Sequence, residues 1–358
     1  MTRSSAVWRL VVRCALLTSI AALPVAFSAW IDPARILGAP REERAIAQAL
    51  LAGHNVTDVT NYDDRAIEKL LAAGRTSRPD VLALGSSRIQ PLSADAFQGA
   101  RFVNVGVSGG RLDDILATYA LYDDSIRRAK RVVINLDPWT LQHPGADATW
   151  SALASERAVM LERLAAPASA WRDRLSLRIA AFKRLASPEY VRLSVFSLRH
   201  YGPKGIRFVI TTQRENAEKT KTPDGTMVWS RNPPDKTERL VDQYLGGMMD
   251  ADARYQHLDA DVERDRLQLV ERFVRYLRES GVEVSFLLVP YHPRVFLAFE
   301  RRADRPLVWT EERYRALAQR SGARVVGSYD PEKVGMQASD FFDESHLRPE
   351  ALVRLFRR

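Results

Sequence analysis

The chain has 358 residues, 46% of them hydrophobic and 27% charged, with a net charge of +9. That length suits one large or two modest domains, and the composition excludes a disordered, collagen-like or multi-spanning membrane protein. A single cysteine, Cys14, excludes an internal disulfide framework and any cysteine-cluster metal site.

In chain order, Arg3, Arg9 and Arg13 lead into an uncharged stretch of 18 residues, Cys14–Ile31. As a helix it would be about 27 Å long, close to the hydrocarbon thickness of a bilayer. The flank before it is purely basic, whereas the flank after it balances Arg35, Arg41 and Arg44 against Asp32, Glu42 and Glu43. The positive-inside rule then keeps residues 1–32 as a cytoplasmic tip plus membrane anchor and exports the rest. The expected location is the cell membrane, single-pass, with the bulk of the chain periplasmic or otherwise outside the cytoplasm. A cleaved signal peptide is the alternative, since Ala26-Phe27-Ser28 offers a small-x-small site.

Residues 33–77 read as a helical stalk or packing segment, and 78–358 as the main domain. Within it five apolar runs stand out: Val81–Leu84, Phe102–Val105, Arg131–Leu136, Val282–Val289 and Arg324–Val326. Continuous rather than alternating runs suit strands buried on both faces of a parallel sheet. Helix-length segments lie between them, at Leu112–Ala129, Glu263–Ser280 and Glu311–Gln319, the last with Thr310 as its expected N-cap. The fold class is therefore α/β, with a parallel sheet between helical layers. Residues 145–260 interrupt the rhythm and read as a mostly helical insertion. It includes a basic amphipathic segment with Trp171, Leu175, Ile179 and Phe182 on one face, and a turn at Thr222-Pro223-Asp224-Gly225.

In open α/β sheets ligands bind beyond the carboxyl ends of the strands. Those ends carry Gly85-Ser86-Ser87-Arg88, Gly106-Val107-Ser108-Gly109-Gly110, Asp137-Pro138, Pro290-Tyr291-His292-Pro293 and, past the last strand, Asp343-Glu344-Ser345-His346. A serine becomes a nucleophile when a histidine takes its proton, and the histidine needs an acceptor to fix its tautomer. Ser87, His346 and Asp343 are the candidates for these catalytic roles, with Ser86 competing for the first, and Asp340 and Glu344 for the third. Glycine-turn N–H groups suit an oxyanion hole. Arg88, Asp137 and His292 are candidates for substrate contact or support; Arg88 and Asp137 are expected to pair. No histidine pair has metal-ligand spacing, and no phosphate loop or dinucleotide fingerprint occurs, so no cofactor or metal is expected. The arginines, 45 of the 53 basic residues, are dispersed without a basic tail or aromatic platform, which argues against nucleic acid.

The ordered blocks resemble the SGNH (GDSL-like) hydrolase superfamily over about 80–145 and 280–350. Gly85-Ser86-Ser87 takes the place of the family's Gly-Asp-Ser, and Asn104-Val105-Gly106-Val107-Ser108-Gly109 is similar to its Asn-x-Gly-x-Ser-Gly. The resemblance implies a flavodoxin-like three-layer sandwich, a Ser87–His346–Asp343 triad, and an oxyanion hole from Ser87 and Gly109. The third block departs from the family's Gly-x-Asn-Asp: here Asn135-Leu136-Asp137-Pro138 stands. Asn135 is one stand-in for the missing donor; otherwise the donor is absent or comes from elsewhere. Joined to an anchor, the blocks look most like exported alginate O-acetylation and teichoic-acid D-alanylation relatives. That likeness implies an O-acetyltransferase acting on a cell-surface polysaccharide; because an exported transferase cannot draw directly on cytoplasmic acyl-CoA, a membrane partner that passes the acyl group outward is expected. The alternatives are a carbohydrate esterase with the same triad, or a non-catalytic scaffold subunit.

Overall fold

In the computed structural model the described residues are 3–32, 41–60, 62–124, 127–142, 152–166, 183, 185–202, 207–230, 232–249, 252–256 and 258–357. The apolar runs become strands because both of their faces are covered. Strand β2 (Val81–Leu84) is buried at every residue, as is β3 (Phe102–Asn104), and β4 (Arg131–Asn135) is buried after its first residue. With β8 (Glu283–Leu288) and β9 (Arg324–Gly327) they form a five-stranded sheet in the order β3-β2-β4-β8-β9, parallel throughout. Numbered within the sheet alone this is the 2-1-3-4-5 order of doubly wound folds, whose crevice opens where the strand order reverses, between β2 and β4. One face packs Leu82, Leu84, Val132, Ile134 and Phe286; the other packs Val81, Ala83, Val133, Leu287 and Val326.

The crossover helices begin and end where local chemistry allows. The helix expected over Leu112–Ala129 stops at Ala120. That expected over Glu263–Ser280 runs Ala260–Glu279, because Asp259 accepts from the N–H groups of Asp261 and Val262. Thr310 is not an N-cap: its helix, Pro306–Ser321, starts a turn earlier on Pro306, whose missing N–H costs nothing at a first helical position.

The stalk differs from its helical reading. Residues 33–77 are not wholly helical, because part of them shares a second sheet with the insertion, whose described residues are otherwise mostly helical. Strand β1 (Asn55–Thr60) pairs antiparallel with β5 (Arg207–Thr211) on one side and β6 (Thr220–Lys221) on the other; β6 continues to β7 (Met227–Val228). Helices Arg41–Leu51 and Asp64–Gly74 cover it with Ile46, Leu50, Ile67 and Leu71 around Val56. Two-residue strands carry no readable alternation, so only the pairing defines them. The segment with Trp171, Leu175, Ile179 and Phe182 lies outside the described residues.

The N-terminal segment is one helix, Arg3–Ile31, followed by Asp32, whose carboxylate accepts from the Tyr190 hydroxyl at 2.9 Å. Ser28 and Ile31 are buried there, whereas Trp8, Leu16 and Leu23 are exposed. Among the described residues no helix is long and apolar enough to cross a membrane, so the spanning role expected of Cys14–Ile31 is not shown.

Candidate active site

The turn after β2 begins at Gly85, whose φ of +150° and approach to Asn135, where a Cβ would lie 2.6 Å from the asparagine Cβ, exclude a side chain. The next two serines part. Ser86 is buried and donates to Asp137 at 2.5 Å, while its hydroxyl also accepts from the Arg88 N–H at 3.1 Å. Ser87 is half-buried, and its Oγ lies 2.9 Å from His346 Nε2. The turn thus sends one hydroxyl inward as structure and the other toward the histidine.

His346 is fixed at its far end. Its Nδ1 is 2.9 Å from both Asp343 oxygens, an arrangement that makes Nδ1 the protonated nitrogen and leaves Nε2 free to accept from Ser87. Asp343 also accepts from the backbone N–H groups of Ser345 and His346, at 2.9 and 2.8 Å. Burial works to raise its pKa, but His346 and these N–H groups outweigh burial and hold it down at about 2. The neighbouring Glu344 is shifted the other way, by burial first and by the Asp343 charge second. Of the acidic residues considered, Asp343 is the one joined to the imidazole.

Arg88 and Asp137 do pair. Both side chains are fully buried, 2.8 Å apart. The guanidinium also donates to the carbonyls of Ser345 at 3.0 Å, Val289 at 2.5 Å and Pro290 at 2.9 Å, and it rests on the Tyr291 ring. One side chain therefore ties the nucleophile turn to the β8 end and to the residue preceding His346. Asn135 does not face the serine: its Nδ2 donates to Asp137 at 3.2 Å and the Leu287 carbonyl at 3.4 Å, while its oxygen accepts from Ser86. In this arrangement its amide N–H groups are not placed as oxyanion donors. His292 is completely buried, with Glu238 Oε1 3.6 Å from its Nε2; burial lowers its pKa, and it packs on Phe341 behind the triad loop.

Gly109 lies in an exposed turn with φ +62°. Among the described residues nothing accepts a hydrogen bond from its N–H or from that of Ser87. The turn is held from the stalk: Asp64 accepts from the Ser108 N–H at 2.7 Å, and Arg65, paired with Asp114, donates to the Ser108 carbonyl at 3.2 Å. Asn104 holds the other side by donating to the carbonyls of Ile89 and Leu92, at 2.8 and 3.0 Å. The Thr222-Pro223-Asp224-Gly225 turn docks on it. Asp224 accepts from the Asn104 N–H at 2.8 Å, and the Gly225 Cα comes so close that a Cβ would meet the Asn104 oxygen at 1.9 Å.

Four residues near the site had no signal in the sequence: Asp64, Arg65, Lys219 and Trp229. The Trp229 indole packs on His346 with ring centroids 4.5 Å apart, and edge-on to Phe342 at 4.8 Å. The Lys219 ammonium lies 3.6 Å from the same indole. Beside Trp229 opens a cleft of about 750 Å³, lined among others by Gln213, Glu215, Asn216, Phe342 and Glu350.

The chain matches no family model, and no curated protein matches it. Fold and site alone define its class: an α/β protein whose five-stranded parallel sheet carries a Ser–His–Asp constellation at its strand ends.

Proposed function

We propose that the protein is a serine acyl-transfer enzyme of SGNH type, exported and membrane-attached, that moves an acetyl group through acyl-Ser87 onto a hydroxyl of a cell-surface polysaccharide. The observation that carries this reading is the continuous hydrogen-bonded chain from Ser87 through His346 to Asp343. His346 Nε2 takes the Ser87 proton as Oγ attacks the acyl carbonyl, and Asp343 stabilises the imidazolium that forms. The negative charge that develops on the carbonyl oxygen meets the open N–H groups of Ser87 and Gly109, each worth about 3 kcal/mol where a donor is well placed. The departing donor group takes the proton from His346. The acceptor hydroxyl then gives its own proton to Nε2 and attacks the acyl-serine; the bond to Ser87 Oγ breaks, and Nε2 returns the proton to that oxygen. The cleft beside Trp229, lined by both polar and apolar side chains, is of a size that accommodates an extended acceptor.

A carbohydrate esterase shares the first half-reaction and hands the acyl group to water. The acceptor test is glycan acetylation in a deletion strain: loss supports the transferase, excess the esterase. A scaffold role draws its support from the third block, where Asp137 is buried against Arg88 and Asn135 is turned from the serine. The deciding experiment is intact-mass analysis of the detergent-purified full chain after incubation with an activated acetyl ester, with Ser87→Ala alongside. An adduct or turnover lost in the variant supports the enzyme; neither in a folded wild type leaves the scaffold. Membrane attachment is tested by fractionation: recovery of the chain, uncleaved, in washed membranes supports it, and a soluble chain shortened at its N-terminus refutes the anchor. A membrane partner that supplies the acyl group would co-purify from those membranes.

A further inference from the structure

The two hydrogen bonds to His346 lie at opposite ends of the ring, at Nε2 and Nδ1, and both act in its plane. They fix the ring along its length but leave it free to tilt about the line joining them. A flat partner on its face removes that freedom, and Trp229 is such a partner, at 4.5 Å and 34°. The indole is itself held from other sides, by the edge of Phe342 and by the Lys219 ammonium 3.6 Å from its ring. Lys219 is an exposed residue whose ammonium lies against the indole face. Among the described residues it makes no salt bridge, so its described contact is with the indole. Both residues border the short strands β6 and β7 of the second sheet, a layer that the α/β sheet does not need for its own core.

We infer that Trp229, braced by Lys219, is a positioning residue that clamps the face of His346, so that the second sheet completes the catalytic histidine. This rests on the acyl-transfer reading for its kinetic consequence, though not for its structural one. Loss of the clamp lets the imidazole leave the line between Ser87 and Asp343, and a misplacement of about 1 Å costs on the order of 100-fold in rate.

The test uses the full chain labelled with 15N-histidine. The His346 Nδ1–H held by Asp343 should give a slowly exchanging low-field proton resonance in the wild type. Trp229→Ala should lose that resonance and lower kcat on an activated acetyl ester about 10- to 100-fold, with KM within about twofold. Trp229→Phe should keep the resonance and most of kcat, because a phenyl face can still stack. Lys219→Met should lower kcat about threefold, as expected for loss of a cation–π brace. A Trp229→Ala protein with the resonance and kcat intact, a Trp229→Phe protein as impaired as Trp229→Ala, or a wild type without the resonance would overturn the clamp. Turnover that survives Ser87→Ala would instead overturn the acyl-transfer reading, while the resonance would still report on the clamp.

Discussion

Replacing Arg88 by methionine removes the charge that joins three strand ends. Arg88 and Asp137 are both inaccessible to solvent, so the variant leaves a buried carboxylate whose remaining partners among the described residues are Ser86 and Asn135. The carbonyls of Ser345, Val289 and Pro290 also lose their donor. An uncompensated charge in such a place costs about 3–5 kcal/mol. At about 2 °C per kcal/mol, the low end of the range because this chain is large, Tm falls by roughly 6–10 °C. Thermal unfolding followed by circular dichroism reads that shift. The double variant Arg88→Met/Asp137→Leu removes both charges and should be more stable than the sum of the two single losses predicts, by about 1–3 kcal/mol. A single-variant shift below about 2 °C, or strictly additive losses, would refute the view that this ion pair holds the nucleophile turn.

Ser86→Ala loses the bonds to Asp137 and Arg88 and should cost about 1–3 kcal/mol of stability, while acyl uptake at Ser87, read by intact mass, persists. Asp343 has a folded pKa below its unfolded value, so its stabilising effect is present above about pH 4 and disappears as pH falls through about 2. Urea unfolding should therefore show Asp343→Asn less stable than wild type by about 2 kcal/mol at pH 6, with the gap roughly halved at pH 3. A gap that does not change with pH would contradict this. Gly225→Ala forces a Cβ into the Asn104 oxygen at a φ of +87°; unfolding should show a loss of about 1–3 kcal/mol, and ester turnover should fall because Asn104 braces the loop after Ser87.

The sequence by itself determined what depends on local pattern. Buried parallel strands must be apolar on both faces, so Val81–Leu84 and Arg131–Asn135 announced themselves, and with them the loops at their carboxyl ends where Ser87, Gly109 and His346 stand. Asp343 and His346 are three residues apart, so one turn of chain sets their contact. The pairing of Arg88 with Asp137 was legible because an ionised Asp137 at that strand end would repel an oxyanion, and Arg88 in the neighbouring turn is the cation that takes it up. Only the tertiary structure decided the rest. Which of Ser86 and Ser87 faces the histidine depends on the backbone path beyond Gly85, and Asn135 turned inward because Asp137 and the Leu287 carbonyl draw its amide. The second sheet joins β1 to strands about 150 residues later, and pieces two residues long have no period to read. Asp64, Arg65, Lys219 and Trp229 come to the site through that sheet and its helices, and contacts made across such distances in the chain leave no mark on local sequence.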